Sequence, residues 1–321
     1  MKTIFRFAMV TLALLGLTAC RQEVATGKNH VKVGIIQYAE HPALDAAQKG
    51  FIKALNEAGY KEGQNLKLTR KNAQGEQANL QTMVDQLAGK NDLNFAIATP
   101  AAQAMVNADQ ETPTIFTAVT DPISAGLVKS LAKPGGTVTG TLDAGDVSQQ
   151  IEVLTKAIPK AKKVGIFYNS SEVNSQIQAK AAKKALNRKG LDVVIKTVTS
   201  SNDVQQVMAS LAAQVDAVYL PTDNTVASTA TTIGEILKEA KVPAIGSDAA
   251  YLDAVLLTSG VDYQAIGHAA GEQALKILKG KKVSELPVQK PQKPQKPQVK
   301  INEAMAKVLG IDTSTLKAAL N

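Results

Sequence analysis

The sequence predicts an α/β fold of two Rossmann-like lobes, each built on a parallel sheet. Three observations predict it. Apolar runs of strand length alternate with amphipathic helical stretches, which implies parallel strands joined by helical crossovers. The alternation starts again after Thr137-Val138-Thr139-Gly140. The 321 residues exceed what one hydrophobic core usually organises.

In the first series, Val31-Lys32-Val33-Gly34-Ile35-Ile36 is a β-branched apolar run and predicts a strand. Helical periodicity follows from about Pro42 to Gly59, where glycine ends it. A strand near Asn65 to Arg70, a helix over Glu76 to Ala88, a strand over Phe95 to Ala98, a helix over Ala101 to Asp109 and a strand over Thr114 to Thr117 continue the order. The second series predicts helices over Val147 to Ala157, Asn174 to Arg188, Val204 to Ala213 and Thr225 to Ala240. Its strands are predicted over Val164 to Tyr168, Asp192 to Thr197, Ala217 to Leu220, Ala244 to Ile245 and Val255 to Thr258. A last helical pattern runs from Gln264 to Leu278. After it, Lys290-Pro291-Gln292-Lys293-Pro294-Gln295-Lys296-Pro297-Gln298 repeats a tripeptide whose prolines favour extended, solvated chain, as in a surface linker.

With no tryptophan and 4% aromatic residues, alanine, valine, isoleucine and leucine must fill the core. The net charge of +8 is dispersed. Lys160, Lys162 and Lys163, and Lys180, Lys183 and Lys184, sit at turn or helical spacing, and no block of five like charges occurs. That argues against a nucleic-acid stripe and for a solvated lysine-rich surface near an anionic membrane.

Lys2 and Arg6 precede an apolar run from Phe7 to Leu17, too short to span a bilayer, so residues 1–19 read as a secretory signal. Leu17-Thr18-Ala19-Cys20 resembles the bacterial lipobox, in which the cysteine becomes an acylated N-terminus. Acyl chains contribute about 0.8 kcal/mol per buried methylene, enough to hold a multiply acylated Cys20 on a membrane. A lone thiol beside an ordinary cleavage site is the alternative. Residues 20–30 would form the tether.

Ligands of open parallel sheets bind beyond the carboxyl ends of the strands. Polar residues collect there: Gln37, Tyr38 and His41 after the first strand, Thr99-Pro100-Ala101-Ala102 after the third, and Thr120-Asp121 after the fourth. The second unit offers Asn169-Ser170-Ser171-Glu172, Thr222-Asp223-Asn224 and Ser247-Asp248. Thr99 reads as an N-cap with proline at the first helical position and free amides on small residues, a terminus that attracts carboxylates, or as an ordinary capped helix. Asp121, Asp223 and Asp248 are candidates to hold an ammonium group, although Asp223 could equally cap the next helix. Tyr38, His41, Phe116, Tyr168, Tyr219 and Tyr251 could line an aromatic slot or pack in the core. The three histidines show no metal spacing, and no nucleophile elbow, Walker loop or Gly-x-Gly-x-x-Gly follows a strand, so neither a cofactor nor a metal is expected.

Taken together, these segments resemble the solute-binding lipoproteins of ABC transporters with the type I periplasmic-binding-protein fold, in the group that includes binders of tryptophan and other aromatic amino acids. The matching residues are Val33-Gly34-Ile35-Ile36-Gln37 with His41-Pro42-Ala43-Leu44-Asp45, Thr99 to Ala104, Phe116 to Pro122, Tyr168 to Glu172 and Pro221 to Asn224. The resemblance implies two lobes joined by a three-segment hinge, residues 31–140 with 260–280 forming one and 141–259 with 281–321 the other. It implies a carboxylate held by Thr99, Ala101 and Ala102, an amine held by Asp223 with Asp248 or Asp121 assisting, and Asn169 and Glu172 closing over the ligand. The lysine-proline-glutamine repeat departs from the family pattern. The expected function is an extracytoplasmic receptor, monomeric and membrane-anchored, that passes a small zwitterion such as tryptophan to a permease and its ATPase. A surface-anchored α/β enzyme using a rim carboxylate is the alternative. A cytoplasmic regulator is disfavoured by the export signal and by the lack of an N-terminal DNA-binding helix pair.

Overall fold

Strands covered on both faces must be apolar nearly throughout, and β1 (Val31–Gln37), β3 (Leu93–Ile97) and β4 (Thr114–Val119) are. The computed structural model, which describes residues 30–291 and 299–320, places them at the centre of a wholly parallel sheet. With β2 (Leu66–Asn72) and β5 (Val138–Leu142) at its edges, the order is β2-β1-β3-β4-β5. Helices α1 (Pro42–Glu57), α2 (Gln77–Leu87) and α3 (Thr99–Ala108) are its crossovers.

The second sheet has the order β11-β10-β9-β8-β6-β7. It comprises β6 (Lys163–Asn169), β7 (Asp192–Val198), β8 (Ala217–Leu220), β9 (Ala244–Gly246), β10 (Leu257–Ser259) and a short antiparallel β11 (Val299–Ile301). Its connections are α4 (Val147–Ala157), α5 (Val173–Arg188), α6 (Val204–Ala212), α7 (Asn224–Ser228) and α8 (Ala230–Ala240). α9 (Tyr263–Leu278) returns to the first sheet. α10 (Glu303–Leu309) and α11 (Thr313–Leu320) pack beside α4 and α5 on one face of the second, while α6, α7 and α8 cover the other.

Three local departures from the sequence reading have physical causes. The helix expected over Thr225 to Ala240 breaks at Thr229. Ser228 Oγ donates to the Thr225 carbonyl, and Thr229 Oγ1 donates to the carbonyls of Thr225 and Val226, so the ladder is diverted. The stretch from Val283 to Gln289, expected with the second lobe, lies against the first. There Thr139 Oγ1 donates to Leu286 O, Val288 N to Leu131 O and Gln289 N to Gly140 O, and Val288 joins the first core. β5, β11, α10 and α11 add to the expected elements. The expected signal segment, Cys20 and residues 292–298 of the repeat lie outside the described residues.

Both sheets reverse strand order in their interior, between β1 and β3 in the first and between β6 and β8 in the second. At such a point neighbouring crossovers lie on opposite faces, leaving a crevice beyond the strand ends. Contacts bridge the two lobes there: Gln178 Nε2 donates to Thr120 Oγ1 at 3.3 Å, and His41 Nε2 lies 3.5 Å from Asn224 Oδ1.

The first lobe depends on a close approach of α1 and α9. A Cβ on Gly267 would lie 1.9 Å from the Ala47 carbonyl oxygen, and one on Gly50 would lie 2.1 Å from that of Gln264. Beneath them Phe51 stacks on Phe95 with ring centroids 3.8 Å apart. Alanine is favoured over glycine in a helix by about 1 kcal/mol. Here the clash is with backbone, so Gly267→Ala is expected to destabilise the protein by about 2 kcal/mol in urea unfolding. Unchanged or increased stability would contradict this packing.

Candidate functional site

The second lobe's wall of the crevice is acidic. Glu172, just after β6, is 1% exposed and Asp223, just after β8, is 2% exposed. Glu172 accepts five hydrogen bonds: from Asn224 N, Asn224 Nδ2, Thr225 N, Thr225 Oγ1 and Asn174 Nδ2. Asp223 caps α7, with Oδ1 accepting from Val226 N at 2.8 Å and Oδ2 from Asn169 N at 2.6 Å. Neither carboxylate has a cationic partner among the described residues. Burial, and then the neighbouring Glu172 charge, push the Asp223 carboxyl up to about 8. Glu172 is saturated by fixed donors, whereas Asp223 keeps acceptor capacity to spare.

The first lobe's wall offers donors. Ala98, with φ 82° and ψ 154°, precedes α3 and takes the N-cap place that the sequence suggested for Thr99. Thr99 is the first helical residue and Pro100 the second. The Ala102 amide, expected to be free, is spent on the Ala98 carbonyl at 3.0 Å. The amides of Thr99 and Ala101 are the ones without an intrahelical acceptor. Thr99 Oγ1 and His41 Nδ1 are buried without a hydrogen-bond partner among the described residues. Such atoms are rare and call for a partner.

Each expected site residue has a definite place. Gln37 is satisfied within its own lobe, bonding Ala39 O, Asp45 and Gln48. Tyr38 donates to Gly75 O, and its hydroxyl is held above its ordinary range by burial and by the charges of Glu172 and Asp223. Asn169 bonds Thr225 and Ser171, and Glu172 turns into its own lobe, so the expectation that this pair folds over a ligand is corrected to a supporting role. Asp121 is likewise corrected: its carboxylate accepts from Ile123 N, Ser124 N and Ser124 Oγ, which closes its own turn. Asp248 caps the turn at Ala250 and charges a second buried cluster instead. There Asp143 accepts from Thr120 Oγ1 and Tyr263 OH and is pushed up to about 6 by burial and by Asp248. Of the aromatic candidates, Phe116, Tyr219 and Tyr251 are core residues, and Tyr251 OH secures the Pro221 and Asp223 carbonyls.

Between the lobes lies a cavity of about 560 Å³, lined by Tyr38, Gln103 and Asn107 of the first and by Ser171, Ser200 and Thr225 of the second; its lining is mainly polar and does not reach Thr99, Ala101, Glu172 or Asp223. Asn174, Gln178 and Thr225 were not singled out from the sequence. A signal existed only for Gln178, a polar residue on the apolar stripe of an amphipathic helix, and for Thr225, two places beyond a strand-end aspartate. The arrangement can hold a compact dipolar molecule: amides and a hydroxyl on one side, a carboxylate with unused acceptors on the other.

Known proteins share this architecture. The family model described as ABC transporter substrate binding protein matches residues 32–319. A tyrosine-binding protein of Clostridioides difficile (strain R20291) is 42% identical over 284 residues, 88% of this chain and 81% of the relative. The crystal structure of an ABC domain in complex with L-Trp from Streptococcus pneumonia matches with a TM-score of 0.84 and 37% identity, covering 90% of this chain and 98% of the other. The ligand-free, open structure of a substrate binding protein with adhesive properties from Clostridium difficile matches with a TM-score of 0.66 and 42% identity, covering 88% and 95%. With a type I periplasmic-binding-protein fold and a family match over nearly its whole described length, this chain belongs to the ABC transporter substrate binding proteins, whose role is binding and not catalysis.

Proposed function

We propose that this chain captures an aromatic amino acid, with tyrosine and tryptophan the leading candidates, between its two lobes and presents it to a membrane permease driven by an ATPase. The observation that carries the reading is the buried carboxyl of Asp223, which keeps acceptor capacity to spare and, like its neighbour Glu172, has no cation among the described residues. Buried charge is costly unless paired, and a ligand ammonium supplies the pair. Opposite it, Thr99 Oγ1 and the amides of Thr99 and Ala101 suit the α-carboxylate, and the cavity beside Tyr38 suits the side chain. The polar lining favours a side chain with a hydroxyl or ring N–H over phenylalanine.

Hinge closure fits the two solved relatives. The more identical relative, ligand-free and open, superposes worse than the less identical one with L-Trp bound. Rigid lobes in different mutual orientation account for that inversion. The N-terminal segment supports export and acylation at Cys20, which would keep a monomeric receptor at the extracytoplasmic face of the membrane.

Titration calorimetry across the amino acids is expected to show tightest binding for tyrosine or tryptophan. Asp223→Asn should weaken it at least about a hundredfold, because the ammonium loses its charge partner in a dry site. Thr99→Val should cost about tenfold. Unchanged affinity in Asp223→Asn would remove the proposed ammonium contact.

The pH dependence has a definite sign. With its carboxyl near 8, ligand-free Asp223 holds a proton at pH 7, and an ammonium ligand displaces it. Affinity should therefore rise with pH to about 8 and level off, falling by up to about tenfold per unit below. At pH 7 the binding heat should vary with buffer ionisation enthalpy as expected for release of about one proton. A buffer-independent heat would refute the protonated resting state.

Metabolic labelling with a radioactive fatty acid should mark the wild-type protein in bacterial cells and not Cys20→Ala. Equal labelling of both would exclude acylation at Cys20.

A further inference from the structure

α5 has a charge distribution that ligand binding does not use. Between Val173 and Arg188 it has no acidic residue, and it carries Lys180, Lys183, Lys184 and Arg188, followed by Lys189. Its buried stripe is Gln178, Ala179, Ala182, Ala185 and Leu186, so the four cations occupy the opposite, exposed face. At helical spacing Lys180, Lys184 and Arg188 form a single row about 12 Å long with Lys183 beside it. None of them lies within ion-pair distance of a carboxylate among the described residues. α4, which packs against α5, carries one acid, Glu152, and that carboxylate pairs with Lys156 on its own helix, while Asp192 opens β7 beyond the end of α5.

The helix dipole accounts for Arg188 and Lys189 in and after the last turn, but it falls off within one turn and leaves Lys180, Lys183 and Lys184 unexplained. The composition identifies the kind of partner. Protein-docking surfaces are rich in tryptophan, tyrosine and arginine and poor in lysine. This face has three lysines, one arginine and no aromatic residue, and it forms a shallow surface instead of a shaped pocket. Flexible ammonium groups in a row match a lattice of phosphate headgroups, to which four to eight clustered cations are a sufficient signal. We propose that the exposed face of α5, through Lys180, Lys183, Lys184 and Arg188, is a contact surface for anionic phospholipid headgroups. The contact acts without an acyl chain and would lay the second lobe against the membrane that the N-terminus tethers.

The strands and helices of the described residues begin at Val31, so a chain beginning at Arg21 keeps both cores and lacks the acylation site Cys20. Its co-sedimentation with vesicles of phosphatidylcholine and phosphatidylglycerol at low salt is the test, with pure phosphatidylcholine as reference. At roughly fivefold per cation, changing all four to glutamine should lower partitioning at least about a hundredfold, and high salt should abolish it. A control with Lys32, Lys61, Lys67 and Lys90 changed to glutamine has the same net charge and should retain most of the binding. Both variants should keep wild-type affinity for the amino acid, which reports an intact fold. Equal loss in the control would show that net charge alone attracts the protein and would overturn the proposal. So would absence of binding to anionic vesicles, or a requirement for the four cations only in uptake by the permease, which would assign the face to a protein partner.

Discussion

A carboxylate kept from water must be compensated where it stands, and the second lobe's wall is organised around that requirement. Glu172 draws its five hydrogen bonds from Asn174, Asn224 and Thr225 alone. To deliver them, the chain after β8 turns at Asp223 and starts a helix whose first amides point at Glu172. Ser228 and Thr229 end that helix after five residues by bonding back to its carbonyls. Tyr251 fixes the turn from below through two carbonyls. All these contacts lie within one lobe, so they persist whatever the other lobe does. Each would cost about 1–3 kcal/mol to leave unmade in a dry site. The wall is preorganised, and what remains for a ligand is the single charge beside Asp223.

The facing wall stores strain in the opposite chemical sense. Ala98 and Ala118, at the ends of β3 and β4, hold φ of 82° and 54°, and Gln74 after β2 holds 57°. Backbone of this kind costs of order 1–3 kcal/mol per residue and collects where function fixes it. At Ala98 the return is visible: its amide bonds Thr117 O, its carbonyl takes the Ala102 amide, and α3 begins with no side-chain cap. A serine or threonine cap would have consumed a donor that the crevice now presents. Donors on one side and acceptors on the other fit a dipolar molecule in one orientation only.

The fold was legible because parallel strands buried on both faces produce a signal that needs no partner: continuous apolar runs at regular intervals. Strand and helix limits match within a few residues along most of the chain. What could not be read was strand order, which decides that Tyr38 and Thr99 meet at one switch point and Asn169 and Asp223 at the other. Asp121 shows the corresponding failure at the level of side chains. An aspartate after a strand serves a ligand or its own turn with the same local sequence, and only direction separates the two. Asp143 gave no signal at all, since its partners Thr120 and Tyr263 come from remote parts of the chain. β11, α10 and α11 are short, and their register depends on a sheet already formed.

The contacts between lobes show what sets the closing equilibrium. Their hydrogen bonds are few: Gln178 links Thr222 to Thr120, and His41 approaches Asn224, while Ala250 adds a small apolar contact with the first lobe's core. Each hydrogen bond of this kind has a net worth of about 0.5–1.5 kcal/mol, because open lobes exchange it for water. Beside them Asp143 is buried near Asp248, and burial first, with the Asp248 charge, lifts its carboxyl to about 6. A site whose acidic wall is already built and whose lobes gain little from each other is one in which differential affinity for a ligand decides the state. An extensive apolar interface between the lobes would close them regardless of cargo, and the polar residues between them keep the signal of occupancy distinct.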